Sequence, residues 1–333
     1  MASSRRPEGR TTDRSQLELT IVAMRFSFTT VLILTGLLLM QCAREVIIDL
    51  PEEETKIVTI CHFTPGQPFR IKVNYSQDVN DGSDPLPPTD ADVSVSKGGI
   101  FLDKLFLKGT GKNVYWQSRD TVQPGQSYSM AVRIDGLPQA EASSGVPKHV
   151  RFKPVSIQPE EVTVVDLDEG YKALRIPLSL ELTHVPSGQP YFAFNLTTDI
   201  DVLEYIDSVA VVDFTYENEQ AGYSSDGRTL SLLHNIAEPV VLINEKFWAQ
   251  GVKTLNLNAL VFYRPGLNER PRRLYIEWRT LSEEFYRYHL SVARQGNNLP
   301  LSDPDAVFNN VSGGYGNFSG YTFSRDTIDL PVR

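Results

Sequence analysis

Phe69-Arg-Ile-Lys-Val-Asn-Tyr75 places an apolar or aromatic residue at every second position and a polar one between. Period two is the repeat of a strand, whose successive side chains point to opposite faces, so this stretch reads as a half-buried strand. The same alternation returns in Tyr128-Ser-Met-Ala-Val-Arg-Ile134 and in Leu174-Arg-Ile-Pro-Leu-Ser-Leu-Glu-Leu182, where Pro177 predicts an edge strand or a bulge. Turn-forming residues separate the early strands at Thr64-Pro-Gly-Gln67, Asp81-Gly-Ser-Asp-Pro85, Gly109-Thr-Gly111 and Pro124-Gly-Gln126. Short strands divided by such turns predict a β-sandwich over residues 56–138. Later strands through Val209–Tyr216, Leu255–Phe262, Leu274–Trp278 and Tyr321–Leu330 make residues 151–333 a second one. Between them Gln139-Ala-Glu-Ala-Ser-Ser-Gly-Val-Pro147 is small and polar, and 139–150 reads as a linker.

One segment changes period. Thr280-Leu-Ser-Glu283 has the form of a capping box, in which the Thr hydroxyl and the Glu carboxylate satisfy amides of a first helical turn. Leu281, Phe285, Tyr288 and Val292 then line one helical face, and Gly296 ends it. The expected fold is therefore mostly β: two Ig-like β-sandwiches, with one C-terminal α-helix over 281–295 packed on the second.

The N-terminus carries a different signal. Arg25 precedes an apolar run, Phe26 to Met40, that stops at Cys42 with Gln41 just before it. The run is shorter than the roughly 20 apolar residues of a spanning helix. A charged residue, an apolar stretch and a cysteine are the layout of a lipoprotein signal, here 24–41. Cys42 is then the lipidated first residue of the mature protein, carrying diacylglycerol on its thiol and a fatty acyl chain such as palmitate on its amine. Residues 1–23 hold Arg5, Arg6, Arg10 and Arg14 without periodicity and read as a non-native extension, with translation starting at Met24 or Met1. The acidic, Pro-containing stretch 42–55 reads as a tether from lipid to first strand.

Without its first 42 residues the 333-residue chain keeps 291, enough for two domains with ample cores. The removed part holds five Arg against Glu8, Asp13 and Glu18, so net charge moves from −9 to −11. Such acidity argues against nucleic acid and anionic membrane surfaces as partners; the lipid supplies the membrane contact. Cys61 is the one remaining cysteine and, in Lys56-Ile-Val-Thr-Ile-Cys61, reads as a buried apolar side chain.

Motifs of catalysis are weak. Ser94-Val-Ser-Lys97 has the Ser-x-x-Lys spacing but lies on an alternating strand, which puts the two side chains on opposite faces. His62, His149, His184, His234 and His289 stand singly, without metal-ligand spacing. Asp78-Val-Asn-Asp-Gly82 has its glycine one residue early for an EF-hand loop and reads as an acidic turn. Pairs such as Asp166 and Asp168, or Glu283 and Glu284, are common in an acidic chain. No cofactor and no metal site is expected. Gly313-Gly-Tyr-Gly316 lacks the Lys-Ser/Thr of a phosphate loop, so its glycines are expected to supply positive φ in a turn before the last strand. Tyr315, Phe318 and Tyr321 around it read first as core packing under a Gly-rich loop, with a partner surface as the alternative. Thr121, Ser208 and Thr327 lie in Asp-Ser/Thr-aliphatic triplets, the form of an O-glycosylation site.

Leu281-Ser-Glu-Glu-Phe-Tyr-Arg-Tyr288 and Phe308-Asn-Asn-Val-Ser-Gly-Gly-Tyr-Gly-Asn-Phe-Ser-Gly-Tyr321 resemble the closing signature of a Bacteroidota lipoprotein family, domain of unknown function 4249. Lys56-Ile-Val-Thr-Ile, Pro65-Gly-Gln-Pro68, Ala91-Asp-Val-Ser-Val and Val122-Gln-Pro-Gly-Gln-Ser-Tyr resemble its first domain. The resemblance implies an outer-membrane lipoprotein, often encoded beside a TonB-dependent receptor, with no established activity. The expected function is a non-enzymatic accessory protein of the outer membrane, on its periplasmic face or the cell surface, working with a TonB-dependent transporter in binding or uptake. A structural or assembly factor of the envelope is the alternative, and a hydrolase the third reading.

Overall fold

The computed structural model describes residues 54–77, 87–150, 152–154, 161–182, 191–202, 208–211, 213–216, 241–243, 254–295 and 306–331. The N-terminal half gives β1 (Ile57–Phe63), β2 (Pro68–Tyr75), β3 (Asp92–Lys97), β4 (Ile100–Lys104), β5 (Phe106–Lys108), β6 (Tyr115–Thr121), β7 (Ser127–Arg133) and β8 (Ala140–Gly145). Next come β9 (Phe152–Pro154), β10 (Thr163–Asp166), β11 (Lys172–Leu182), β12 (Phe192–Val202), β13 (Ser208–Val211), β14 (Asp213–Tyr216) and β15 (Val241–Ile243). The chain closes with β16 (Thr254–Tyr263), β17 (Glu269–Leu281), helix α1 (Glu283–Gln295) and β18 (Gly314–Asp329). The protein is mostly β, as its alternation predicts.

Three sheets carry these strands. A nine-stranded sheet runs β13-β12-β17-β18-β1-β2-β6-β5, with β15 also on β12. A four-stranded sheet runs β4-β3-β7-β8, and a five-stranded one β10-β11-β16-β14 with β9 on β11. Strand β18 joins the halves of the large sheet. Its first seven residues pair in parallel with β1, Ile57 opposite Gly314 and Phe63 opposite Gly320. Its remainder pairs antiparallel with β17, from Leu281 opposite Tyr321 to Arg273 opposite Asp329. Glu53–Arg333 accordingly form one compact unit.

Among the described residues two large apolar cores lie between the sheets, and a small third cluster of Ala193, Leu281, Phe285 and Tyr286 lies at the helix. In the first, the inward residues of β2 and β7 meet those of β1 and β18: Phe63 lies 4.6 Å from Phe318 and 5.2 Å from Phe69, and Phe69 5.0 Å from Tyr128, centroid to centroid. In the second, Ile176, Leu178, Leu257 and Val261 face Phe192, Phe194, Leu196 and Trp278, with Phe194 and Trp278 stacked at 5.7 Å. Pro177 pairs with Asn258 on one side. On its other side, β10 pairs only as far as Arg175 and β9 starts at Leu180, so its missing N–H falls in a gap between described neighbours.

The linker expected over 139–150 is corrected. Ala140–Gly145 is strand β8, paired with β7 along its length. Its inward residues Ala140, Ala142 and Ser144 are buried; they are small because β18 crosses close beneath them, so their alternation carries no large apolar side chain.

The helix starts two residues later than the capping box implies. Thr280 and Leu281 continue β17, and the Thr280 hydroxyl accepts from the Val150 amide at 3.4 Å. Ser282 is the cap, its Oγ accepting from the Phe285 amide at 3.3 Å, while Glu283 pairs with Arg287 one turn on. Phe285 packs 4.8 Å from the His62 ring of β1 and 5.4 Å from Tyr321 of β18, and Tyr286 stacks on Tyr191 at 4.5 Å. The Glu284 carboxylate accepts from Ser144 of β8 at 2.8 Å, and its carbonyl accepts from Asn317 of β18 at 3.2 Å. Among the described residues no helix is long and apolar enough to cross a membrane.

Candidate functional site

The Gly-rich closing segment proves to be scaffold. Gly313 and Gly316 hold positive φ, at 72° and 128°, as expected of a turn, whereas Gly314 does not. All three are needed for close approach: a Cβ on Gly313 would sit 2.1 Å from the Gln139 carbonyl oxygen, on Gly314 2.4 Å from that of Ile57, and on Gly316 1.8 Å from that of Thr59. The Asn309 carboxamide oxygen accepts from the amides of Val311 and Gly316, and Asn310 makes a two-way bond with the Phe318 backbone. Each asparagine thus holds the loop in the shape that lets β18 lie against β1.

Of the two readings of these aromatics, core packing holds for Phe318, and the three do not share one face. Phe318 is wholly buried in the first core. Tyr315 is half-buried and its hydroxyl receives the Lys56 ammonium at 2.9 Å. Tyr321 lies under the Arg279 guanidinium, 5.4 Å away, and against Phe285. The alternation of β18 sends Phe318 to the side opposite Tyr315 and Tyr321. Thr121 is exposed at the end of β6 and Thr327 is exposed on β18, while Ser208 opens β13. Cys42, the Asp78–Gly82 turn, His184 and His234 lie outside the described residues.

Two histidines that the sequence leaves single come together. His62 of β1 and His289 of α1 have ring centroids 5.0 Å apart, with Phe285 4.8 Å from one and 4.3 Å from the other. Both Nε2 atoms are buried without a hydrogen-bond partner. Burial first, then the Arg279 cation, lowers His62 to about 4; the hydrogen bond with Asn317 acts the other way. Burial, His62 and Arg279 hold His289 well below the ordinary range. The pair is neutral at pH 7 and serves packing. Cys61, its neighbour on the strand, faces the first core, and burial pushes its thiol up to about 12. A thiol that stays protonated is no nucleophile. Among the described residues no group of three His, Cys, Asp or Glu side chains is placed to hold a metal ion.

A further polar cluster lies on the outer face of β17. Glu277 is held between Arg279 at 2.6 Å and Arg325 at 2.8 Å. Burial alone would raise its carboxyl, but the two guanidinium groups more than offset this and its pKa is lowered. All three charges are spent on one another.

Among the described residues, an open groove is built on the outward face of β4-β3-β7-β8, with a volume of about 720 Å³. Register arranges its side chains in cross-strand rows. Phe101, Ser96, Ser129 and Ser143 form one row; Lys104, Ser94, Ala131 and Glu141 form the next; Asp92 faces Arg133 in the third. The inward neighbours Val93, Val95, Met130 and Val132 are core, so the pattern that buries one face fixes the other in water. The floor is small and hydroxylic, and the walls are long. On one side stand Phe101 and the Lys104–Asp92 ion pair, 3.0 Å. On the other, Arg133 donates to Gln139 and Gln139 to Glu141. The closing loop extends this second wall through Asn310 and Ser312, whose backbone bridges to Glu141 at 2.7 and 2.9 Å. Ser94 belongs to this floor, whereas Lys97 turns to Gln123 on the other side, so the Ser-x-x-Lys pair is not assembled. The sequence reading missed the groove because serines opposite serines emerge only from strand pairing.

A family model described as Domain of unknown function (DUF4249) matches residues 43–327. A search of curated proteins finds no match to the chain.

Proposed function

The chain belongs to the family described as Domain of unknown function (DUF4249), and from that premise we propose that it is a lipid-anchored, non-enzymatic binding protein of the outer membrane that works with a TonB-dependent transporter. The observation that carries this reading is the run from Arg25 through Met40 into Cys42, with the family match beginning on the very next residue. Acyl chains on Cys42 would hold the mature protein at the bilayer, and the stretch up to β1 would give it reach. We read each apolar core, with the sheets that enclose it, as one Ig-like sandwich, the two sharing the sheet that β18 completes. The open groove on the first sandwich is the ligand-contacting surface, and its polar, shallow form suits reversible capture and hand-over. The net charge of −11 on the mature chain keeps it off anionic surfaces other than through its lipid.

Chemical cross-linking in native membranes, followed by capture of the full-length protein, tests the proposal. A TonB-dependent transporter should be the main cross-linked partner. Recovery of a β-barrel assembly or secretion machine in its place would make the protein an envelope assembly factor instead.

A further inference from the structure

We propose that the groove on the β4-β3-β7-β8 face binds a neutral oligosaccharide, an inference that rests on reading this protein as a binding protein. The groove holds two cations, Lys104 and Arg133, and two anions, Asp92 and Glu141, and each is engaged inside it: Lys104 with Asp92 at 3.0 Å, Arg133 with Glu141 through Gln139. A charged ligand meets no net field there and would have to break one of these contacts to gain another. An apolar ligand meets a floor of serine hydroxyls. What the surface does offer is a density of small donors and acceptors on the floor and planar carboxylate, carboxamide and guanidinium edges along the walls. Those groups match vicinal hydroxyls, which both donate and accept.

The rim supplies the other half of sugar recognition. Phe101 stands opposite Ser96 in the first row and is 66% exposed, so its ring is open to solvent at the edge of the groove. A ring at the edge of a polar trough gives the apolar face of a pyranose a flat surface to lie on, while the hydroxyls at its edge reach the floor. The size also fits. Strand spacing and pleat make the floor about 10 Å wide and about 14 Å long over its three rows, enough for about two to three pyranose rings. The Gly98-Gly99 turn before Phe101 is bonded to Ser127, at the end of the sandwich remote from Lys56, where the chain enters β1.

The test is calorimetry on the full-length chain in lauryldimethylamine oxide, which carries no sugar. The probes are maltohexaose, cellohexaose, mannohexaose and xylohexaose, with polygalacturonate and a mixed peptide pool as comparisons. At least one neutral hexasaccharide should bind with Kd between about 10 μM and 1 mM. Phe101→Ala, which removes the platform, and Ser129→Gln, which fills the floor, should each weaken it about tenfold with thermal midpoints unchanged. Binding of no hexasaccharide below about 10 mM, binding indifferent to both variants, or binding of polygalacturonate or peptide alone would each overturn the proposal. Cross-linking to a transporter without sugar binding removes the ligand class and keeps the accessory role. Sugar binding without a transporter does the reverse.

Discussion

Gly316→Val should leave the chain largely insoluble, with a loss of more than about 4 kcal/mol for whatever folds. Two effects combine. Gly316 holds φ at 128°, a region that a β-branched residue scarcely enters. A Cβ there would also lie 1.8 Å from the Thr59 carbonyl oxygen and 2.7 Å from its carbon, in the middle of the β1–β18 pairing. Thr59 is fully buried and fixed from its other side by Val73 of β2, so it has nowhere to move. Displacing β18 opens the nine-stranded sheet at its centre and uncovers Phe318. Gly99→Val is the comparison: φ is 81° but nothing lies within 4 Å of the added Cβ, so only backbone strain of about 1–3 kcal/mol applies. Thermal melts of the two variants separate contact from strain. Equal midpoints would show that β18 tolerates a side chain at its crossing, against the account of the closing segment as scaffold.

Acid should unfold the protein through its buried histidine pair. An unfolded histidine titrates near 6.5, whereas His62 in the folded chain does so at about 4. The folded value is depressed, so the stability tied to neutrality is fully present above pH 6.5 and is lost as pH falls from 6.5 toward 4, while the unfolded chain takes up the proton first. His62 alone accounts for about 3 kcal/mol over that window, and His289, shifted the same way, adds to it. The groups facing the pair are the Arg279 cation, Asn317, Phe285 and the Tyr288 phenol; none is an anion that could stabilise an imidazolium. Urea titrations at pH 7 and pH 4.5 measure the loss. The His62→Leu, His289→Leu double variant should lack this part of the slope, while losing the His62–Asn317 hydrogen bond at every pH. An unchanged slope in that variant would assign acid lability to the carboxylates.

Strands with large alternating residues were legible in the chain. Phe69–Val73, Tyr128–Ile134 and Leu174–Leu178 bury the residues that their period selects. The β8 strand was not, because its inward positions are Ala140, Ala142 and Ser144, whose small size answers to a neighbour distant in sequence. Nor was the helix start, since the Thr280 hydroxyl finds the amide of Val150 rather than that of its own next turn. The closing signature was recognisable as a pattern, but its physical meaning lay in contacts: the glycines answer to Gln139, Ile57 and Thr59, residues of other strands and turns. Core packing was legible for Phe318, but alternation alone cannot say which face of β18 meets a core, so Tyr315 and Tyr321 could not be told from it. The candidate groove was least visible of all. Its serines are spread over three strands, and only the pairings Ser96 with Ser129 and Ser129 with Ser143 bring them to one row.

A lipid on Cys42 is the claim on which the proposed membrane location rests. Metabolic labelling with a clickable fatty acid tests it in one step. The wild-type protein should take up label and run as the processed form, while Cys42→Ser should stay unlabelled and accumulate as a longer precursor beginning at Met24 or Met1. Label of equal intensity on the Cys42→Ser protein would contradict the account.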